Sequence, residues 1–134
     1  MSTVVVGTIQ SNSTSPPTFN NTNGTEIGTL CRAFVNFNGT GTVAIRAAFN
    51  VTSITDNGTG DYTVNFTNAL PDASYSLCGS AKYNGIDATA VRYVGVSSAA
   101  ALSSVMTTSL VRISAAFANG SLQDPDFCSV AIFR

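Results

Sequence analysis

The sequence contains no histidine and no tryptophan. Without histidine, every Ser-His or Cys-His catalytic arrangement and every His-ligated metal site is excluded. Charge is scarce too: 6 Lys and Arg against 7 Asp and Glu give a formal net charge of −1. So little charge leaves no basic footprint for nucleic acid and no polybasic surface for an anionic membrane. No run approaches the roughly 18–20 apolar residues of a membrane-spanning helix. The start, MSTVVVGTIQSN, has no charged n-region and no apolar stretch of signal length, so a soluble chain with no export signal is expected. Only three cysteines occur, Cys31, Cys78 and Cys128. At most one internal disulfide could form, and three thiols without a fourth ligand make a poor zinc site. Each lies in an apolar strand pattern, where a free thiol is expected to behave as a small buried hydrophobe.

What is present is enough for one domain with a core: 134 residues, 44% of them apolar. That apolar share is above what disordered chains carry. Ser, Thr, Asn and Gly must therefore cover much of the surface. Uncharged surfaces of this kind suit secreted, viral or adhesive proteins that pack against copies of themselves.

Residues 2–9 (STVVVGTI) are rich in β-branched side chains and read as a strand. Residues 10–28 are polar, include Pro16-Pro17 and show no period. They read as an extended arm or long loop, with Phe19 as its one large apolar side chain and Ile27 near its end. The domain expectation is a strand and arm over 1–28 and a single domain over 29–134.

From Leu30 onward, period-two alternation sets in. Cys31, Ala33, Val35 and Phe37 share one face, as do Val43, Ile45, Ala47 and Phe49. Register follows from keeping these faces together, because a slip of one residue flips every side chain. The expected pairs are Phe37 with Val43, Val35 with Ile45 and Ala33 with Ala47, around a three-residue loop ending in a left-handed Gly41. Asn-Gly-Thr-Gly recurs at 57–60 in the stretch SITDNGTGDYTVNF. There Ile54 must share a face with Tyr62, Val64 and Phe66. The expected pair is Ile54 with Val64, around the loop 58–60, with Gly60 left-handed. Further strands are expected at 74–83, 88–96, 108–117 and 127–134. Residues 97–106 read as a loop with an irregular turn, since ten residues without a cap make a marginal helix. About eight strands with regularly spaced turns imply an all-β fold: an antiparallel β-sandwich or jelly-roll-like domain with an extended polar N-terminal arm.

A calcium loop needs oxygen ligands at alternating positions, but in DNGTGD the positions after Asp56 are Gly58 and Gly60. GTG is no phosphate loop either, because no Lys follows and no helix begins. Glycosidase chemistry needs two carboxyls with separated pKa values. The one Glu, Glu26, is in the arm, and Asp124 and Asp126 flank Pro125 as in an ordinary Asp-Pro turn. Eight Asn-x-Ser/Thr triplets follow from composition and do not by themselves mark glycosylation. No catalytic residue, metal site or cofactor is expected.

The stretch CRAFVNFNGTGTVAIRAAFNVTSITDNGTGDYTVNFTNALPDASYSLCGSA resembles a module of virion proteins from tailed bacteriophages, especially phages of cyanobacteria. In those proteins the module closes tail-fibre-like chains and also occurs alone. The start VVVGTIQSNSTSPPTFNNTNGTEIGTL and the ending FCSVAIFR are similar to its flanks, whereas 83–123 departs from the pattern. The resemblance implies a non-enzymatic structural protein on the particle surface, assembled in the host cytoplasm. It implies a homotrimeric tail-fibre or fibre-tip protein contacting the host. The alternative is a trimeric capsid decoration (cement) protein stabilising the head. Partners would be copies of itself and other virion proteins (fibre, tail or major capsid protein), with a host-surface glycan as a candidate; nucleic acid and membrane are not expected. Phe19, Arg32, Phe34 and Arg46 are the candidate subunit contacts: Phe19 from the arm, the others from the second face of the first hairpin. The turns at Asn84, Gly85, Asn119 and Gly120 are the candidate host contacts.

Overall fold

A computed structural model describes residues 5–10, 17–83 and 92–134. The chain divides into two compact units, Met1–Leu30 and Cys31–Arg134.

In the first unit, β1 (Phe19–Asn20) pairs antiparallel with β2 (Glu26–Gly28). The turn between them is built on Asn21, whose side-chain oxygen accepts from the Asn23 and Thr25 backbone N–H groups at 3.0 and 2.9 Å. The arm expected to be irregular thus contains a short hairpin. Conversely, residues 5–10 form no strand, contrary to the expectation for 2–9. β-branched composition favours a pleated surface only where a neighbour supplies a ladder, and Val5 is 90% exposed.

The second unit holds β3 (Cys31–Asn38), β4 (Ala44–Phe49), β5 (Val51–Gly58), β6 (Asp61–Phe66), β7 (Ser76–Lys82), β8 (Arg92–Val96), a single helical turn α1 (Leu102–Val105), β9 (Leu110–Phe117) and β10 (Phe127–Phe133). They form two four-stranded antiparallel sheets, ordered β4-β3-β10-β7 and β5-β6-β9-β8. The β-sandwich class expected from the alternation is what forms. The inward faces come from the four central strands: Ala33, Val35 and Phe37; Cys128, Val130 and Ile132; Tyr62, Val64 and Phe66; Val111, Ile113 and Ala115. Burying one large apolar side chain in this layer contributes roughly 1.5–3 kcal/mol. Phe37 and Tyr62 meet edge to face across the two sheets at 5.1 Å, and Phe66 meets Tyr75 at 6.0 Å. The Tyr75 hydroxyl donates toward the Thr107 and Leu110 carbonyls, and burial pushes its phenol up to about 12.

The chain passes from the first sheet to the second at Asn50, which is left-handed at φ 53°. Asparagine tolerates this conformation. Its amide donates to the Arg32 and Asn68 carbonyls and its oxygen accepts from the Asn68 N–H, fixing the corner.

The two hairpins obey the register argument unequally. In the second, Ile54 pairs with Val64 and Gly60 has φ 65°, as expected. A bulge at Asn57 then pairs Gly58 with Asp61, shortening the loop to Thr59-Gly60. In the first, Gly41 is left-handed at φ 64°, but Phe37 pairs with Ile45 rather than Val43. A further slip after Phe37 sets Val35 opposite Ala48 and Phe34 opposite Phe49. Phe49 therefore joins the outer face. All six residues of β4 are exposed, so no buried row holds the strand in the expected phase.

Candidate functional site

Three loops of the sandwich meet around one carboxylate. Asp124, in the β9–β10 loop, accepts through Oδ1 from the Gly60 N–H and from the Tyr62 hydroxyl, both at 2.7 Å. Tyr62 also lies 3.2 Å from the Gly39 carbonyl, and the Gly39 N–H donates to the Pro125 carbonyl at 2.8 Å. The Gln123 N–H donates to the Ala115 carbonyl, and the Ala115 N–H to the Gly60 carbonyl. Both Asn-Gly-Thr-Gly loops are thus tied to the Gln123–Pro125 segment. Burial first, then the hydrogen bond to Asp124, holds the Tyr62 phenol far above its ordinary range, so it is a donor at any physiological pH. The constellation is a structural lock between the three loops.

Asp61, Asp72 and Asp56 are similarly engaged. Asp61 takes a two-pronged bond from Arg112 at 2.8 and 2.6 Å, which holds its carboxyl below the usual range against the opposing effect of burial. Asp72 takes the same kind of bond from Arg134, reinforced by the Ser74 N–H, and is likewise lowered. Asp56 accepts from the Gly58 N–H. Asp126 lies 3.7 Å from the Lys82 ammonium. Asp124 and Asp126 serve different partners. Among the described residues, no cluster of three or more Cys, Asp or Glu could hold a metal ion. No helix there is long and apolar enough to cross a membrane.

The cysteine expectation holds for one residue of three. All three are free; Cys128 is buried, Cys31 half-buried and Cys78 exposed. Burial pushes the Cys128 thiol up to about 12, leaving it no thiolate character at neutral pH.

The candidate contact residues are placed as follows. Phe19 is exposed on β1 in the first unit. Phe34 is 41% exposed and Phe49 54%, their rings stacked at 6.2 Å on the outer face of the first sheet. Cross-strand pairing extends this row through Ala131 to the exposed Cys78. Arg46 lies across the same sheet, donating to the Phe37 carbonyl at 3.1 Å and the Asp126 carbonyl at 2.6 Å. The Arg32 guanidinium lies 3.4 Å from the Arg134 carbonyl. Asn119 and Gly120 form an exposed turn, with the Asn119 side chain accepting from the Ser121 N–H. Asn84 and Gly85 lie outside the described residues.

Sequence reasoning missed the Tyr62–Asp124 link, which joins residues 62 apart and leaves no local signature. It also missed Phe49 as a surface residue, because the bulge that turns it outward is not encoded in the alternation. A third group, Arg92 over the Phe117 ring at 4.0 Å and near Tyr83 at 5.9 Å, joins three strand ends that no motif connects.

No family model matches the chain, and no curated protein or solved structure matches it either.

Proposed function

We propose that the protein is a non-enzymatic structural component on the surface of a tailed-phage particle, a homotrimeric tail-fibre or fibre-tip protein that contacts the host. The resemblance of residues 31–80 supports the virion assignment. The observation that carries the assembly is the Phe34–Phe49 stack, two large rings left facing outward on a sheet whose charge is sparse. Adjacent exposed rings of this kind support an interaction site over a solvated face. Arg32 and Arg46 border it, with the Arg46 guanidinium already held over the sheet by backbone carbonyls. Asn119-Gly120 stands as a host-contact candidate because it is an exposed turn at a loop end of the sandwich.

Immunogold labelling of particles tests the reading. Label confined to the tail supports the fibre assignment. Label over the whole head sinks it in favour of a trimeric decoration protein, and unlabelled particles sink both. Light scattering tests the assembly separately: a trimer mass is expected, and a monomer at micromolar concentration overturns it. Replacing Phe34 by Asp is expected to shift that mass toward the monomer.

A further inference from the structure

Five Asn-Gly dipeptides occur, at Asn23, Asn38, Asn57, Asn84 and Asn119, and four of them lie among the described residues. This dipeptide can modify itself. The glycine backbone nitrogen gives up its proton to hydroxide and attacks the asparagine side-chain carbonyl carbon. A nitrogen–carbon bond closes a succinimide ring, the side-chain carbon–nitrogen bond breaks, and ammonia leaves. Water then opens the ring at either carbonyl, giving aspartate or isoaspartate. Glycine permits the step because no Cβ hinders its nitrogen or restricts the backbone that must fold over. In a folded chain the rate is set by how readily the glycine N–H and the asparagine amide are released from their hydrogen bonds.

The four sites differ sharply on that measure. At Asn38, the side-chain amide donates to the Thr40 carbonyl at 2.7 Å and its oxygen accepts from the Thr40 hydroxyl at 2.9 Å. The Gly39 N–H is bound to Pro125, and a Cβ built on Gly39 would run into Tyr62 and Pro125, so nothing there can swing. At Asn57 the amide donates to the Thr63 hydroxyl and the Gly58 N–H is held by Asp56. At Asn119 the side-chain oxygen accepts from Ser121 and the Gly120 N–H donates to the Phe117 carbonyl. At Asn23 only the backbone is engaged: its own N–H and the Gly24 N–H bind Asn21 at 3.0 Å in a solvent-exposed turn. Gly24 has open space around it. The two-stranded ladder beside it spans five residues, too few for independent stability.

We propose that Asn23 is a site of spontaneous covalent modification in the folded protein, converting to aspartate and isoaspartate through a Gly24 succinimide, while the same dipeptide at Asn38 is held inert. The product adds one negative charge to a chain of net charge −1, close to Glu26. Isoaspartate also adds a backbone carbon inside the turn that sets the Phe19–Gly28 register.

Trypsin separates the five dipeptides completely, into peptides 1–32, 33–46, 47–82, 83–92 and 113–134. The full chain is incubated in mildly alkaline buffer, folded and in urea, then digested and read for the amide-to-acid mass gain. Fragmentation distinguishes isoaspartate. Asn23 in the folded chain is expected within about threefold of its rate in urea, and Asn38 slowed at least about a hundredfold. Equal slowing at the two sites, or a faster Asn38, overturns the proposal. Asn23→Gln is expected to abolish the mass gain in peptide 1–32; a gain that survives assigns the chemistry to another asparagine of that peptide and overturns it too.

Discussion

In the first copy of Asn-Gly-Thr-Gly the leading glycine, Gly39, is the packed one; in the second it is the closing glycine, Gly60. Gly41 and Gly60 share the same left-handed backbone, at φ 64° and 65°, yet a Cβ on Gly41 would meet open space. A Cβ on Gly60 would lie 2.5 Å from the Ala115 carbonyl oxygen and 2.6 Å from the Gln123 nitrogen. Identical local sequence therefore gives a left-handed glycine at the same position but not an identical role. The role is set by what the rest of the chain brings to the turn, here Gln123 and Asp124 on one side and Pro125 on the other. Register differs for the same reason. The second hairpin is held in phase by Tyr62, Val64 and Phe66, all buried, whereas β4 buries nothing and slips past its bulge.

Substitutions can separate turn geometry from packing. Gly60→Ala should be the most damaging, because it meets both the left-handed penalty and rigid backbone atoms. The expected loss is about 3 kcal/mol or more, read as a fall in the urea midpoint. A loss no larger than that of Gly41→Ala would show that the contact with Gln123 yields easily. Tyr62→Phe comes next. It keeps the ring against Phe37 but removes the hydroxyl that Asp124 accepts from, at an expected cost of about 1.5–3 kcal/mol. Equilibrium unfolding measures this, and an unchanged midpoint would mean that water replaces the phenol at Asp124. Gly41→Ala carries only the backbone penalty, about 1 kcal/mol.

Much of the sandwich was legible because the central strands alternate without interruption. Ala33, Val35 and Phe37, or Tyr62, Val64 and Phe66, declare their buried face by period alone. The two-sheet class follows from that repetition. The slip of β4 was not legible, since Ile45, Ala47 and Phe49 carry the same alternation whether or not a core receives it. Cys78 misled for the same reason: it lies in an apolar strand pattern but points out beside Ala131. The loop lock was half legible. Asp124-Pro125 announced a turn, and the two glycine-rich loops announced tight corners, but only the three-dimensional meeting of residues 39, 60, 62 and 124 makes them one unit. The surface row of Phe34 and Phe49 needed the bulge to exist at all.

The residue after the turn sharpens the comparison further. Gly60 is followed by Asp61, Gly41 by the uncharged Thr42. An ordinary Asp carboxyl titrates near 3.8, and Arg112 holds Asp61 below that value in the folded chain. A carboxyl more acidic folded than unfolded adds stability above its unfolded pKa, and that increment is lost as pH falls through the folded pKa. Asp61→Asn keeps the Oδ1 acceptor but not the charge, so its deficit should be below about 1 kcal/mol at neutral pH. The gap between parent and variant should then close as pH drops below 3.8. Urea midpoints measured across that range read the gap directly, and a gap that stays constant would assign it to lost packing rather than to the ion pair. Arg46→Ala supplies the contrast from the first hairpin. Arg46 donates to two carbonyls, which do not titrate, so its deficit should be the same at every pH.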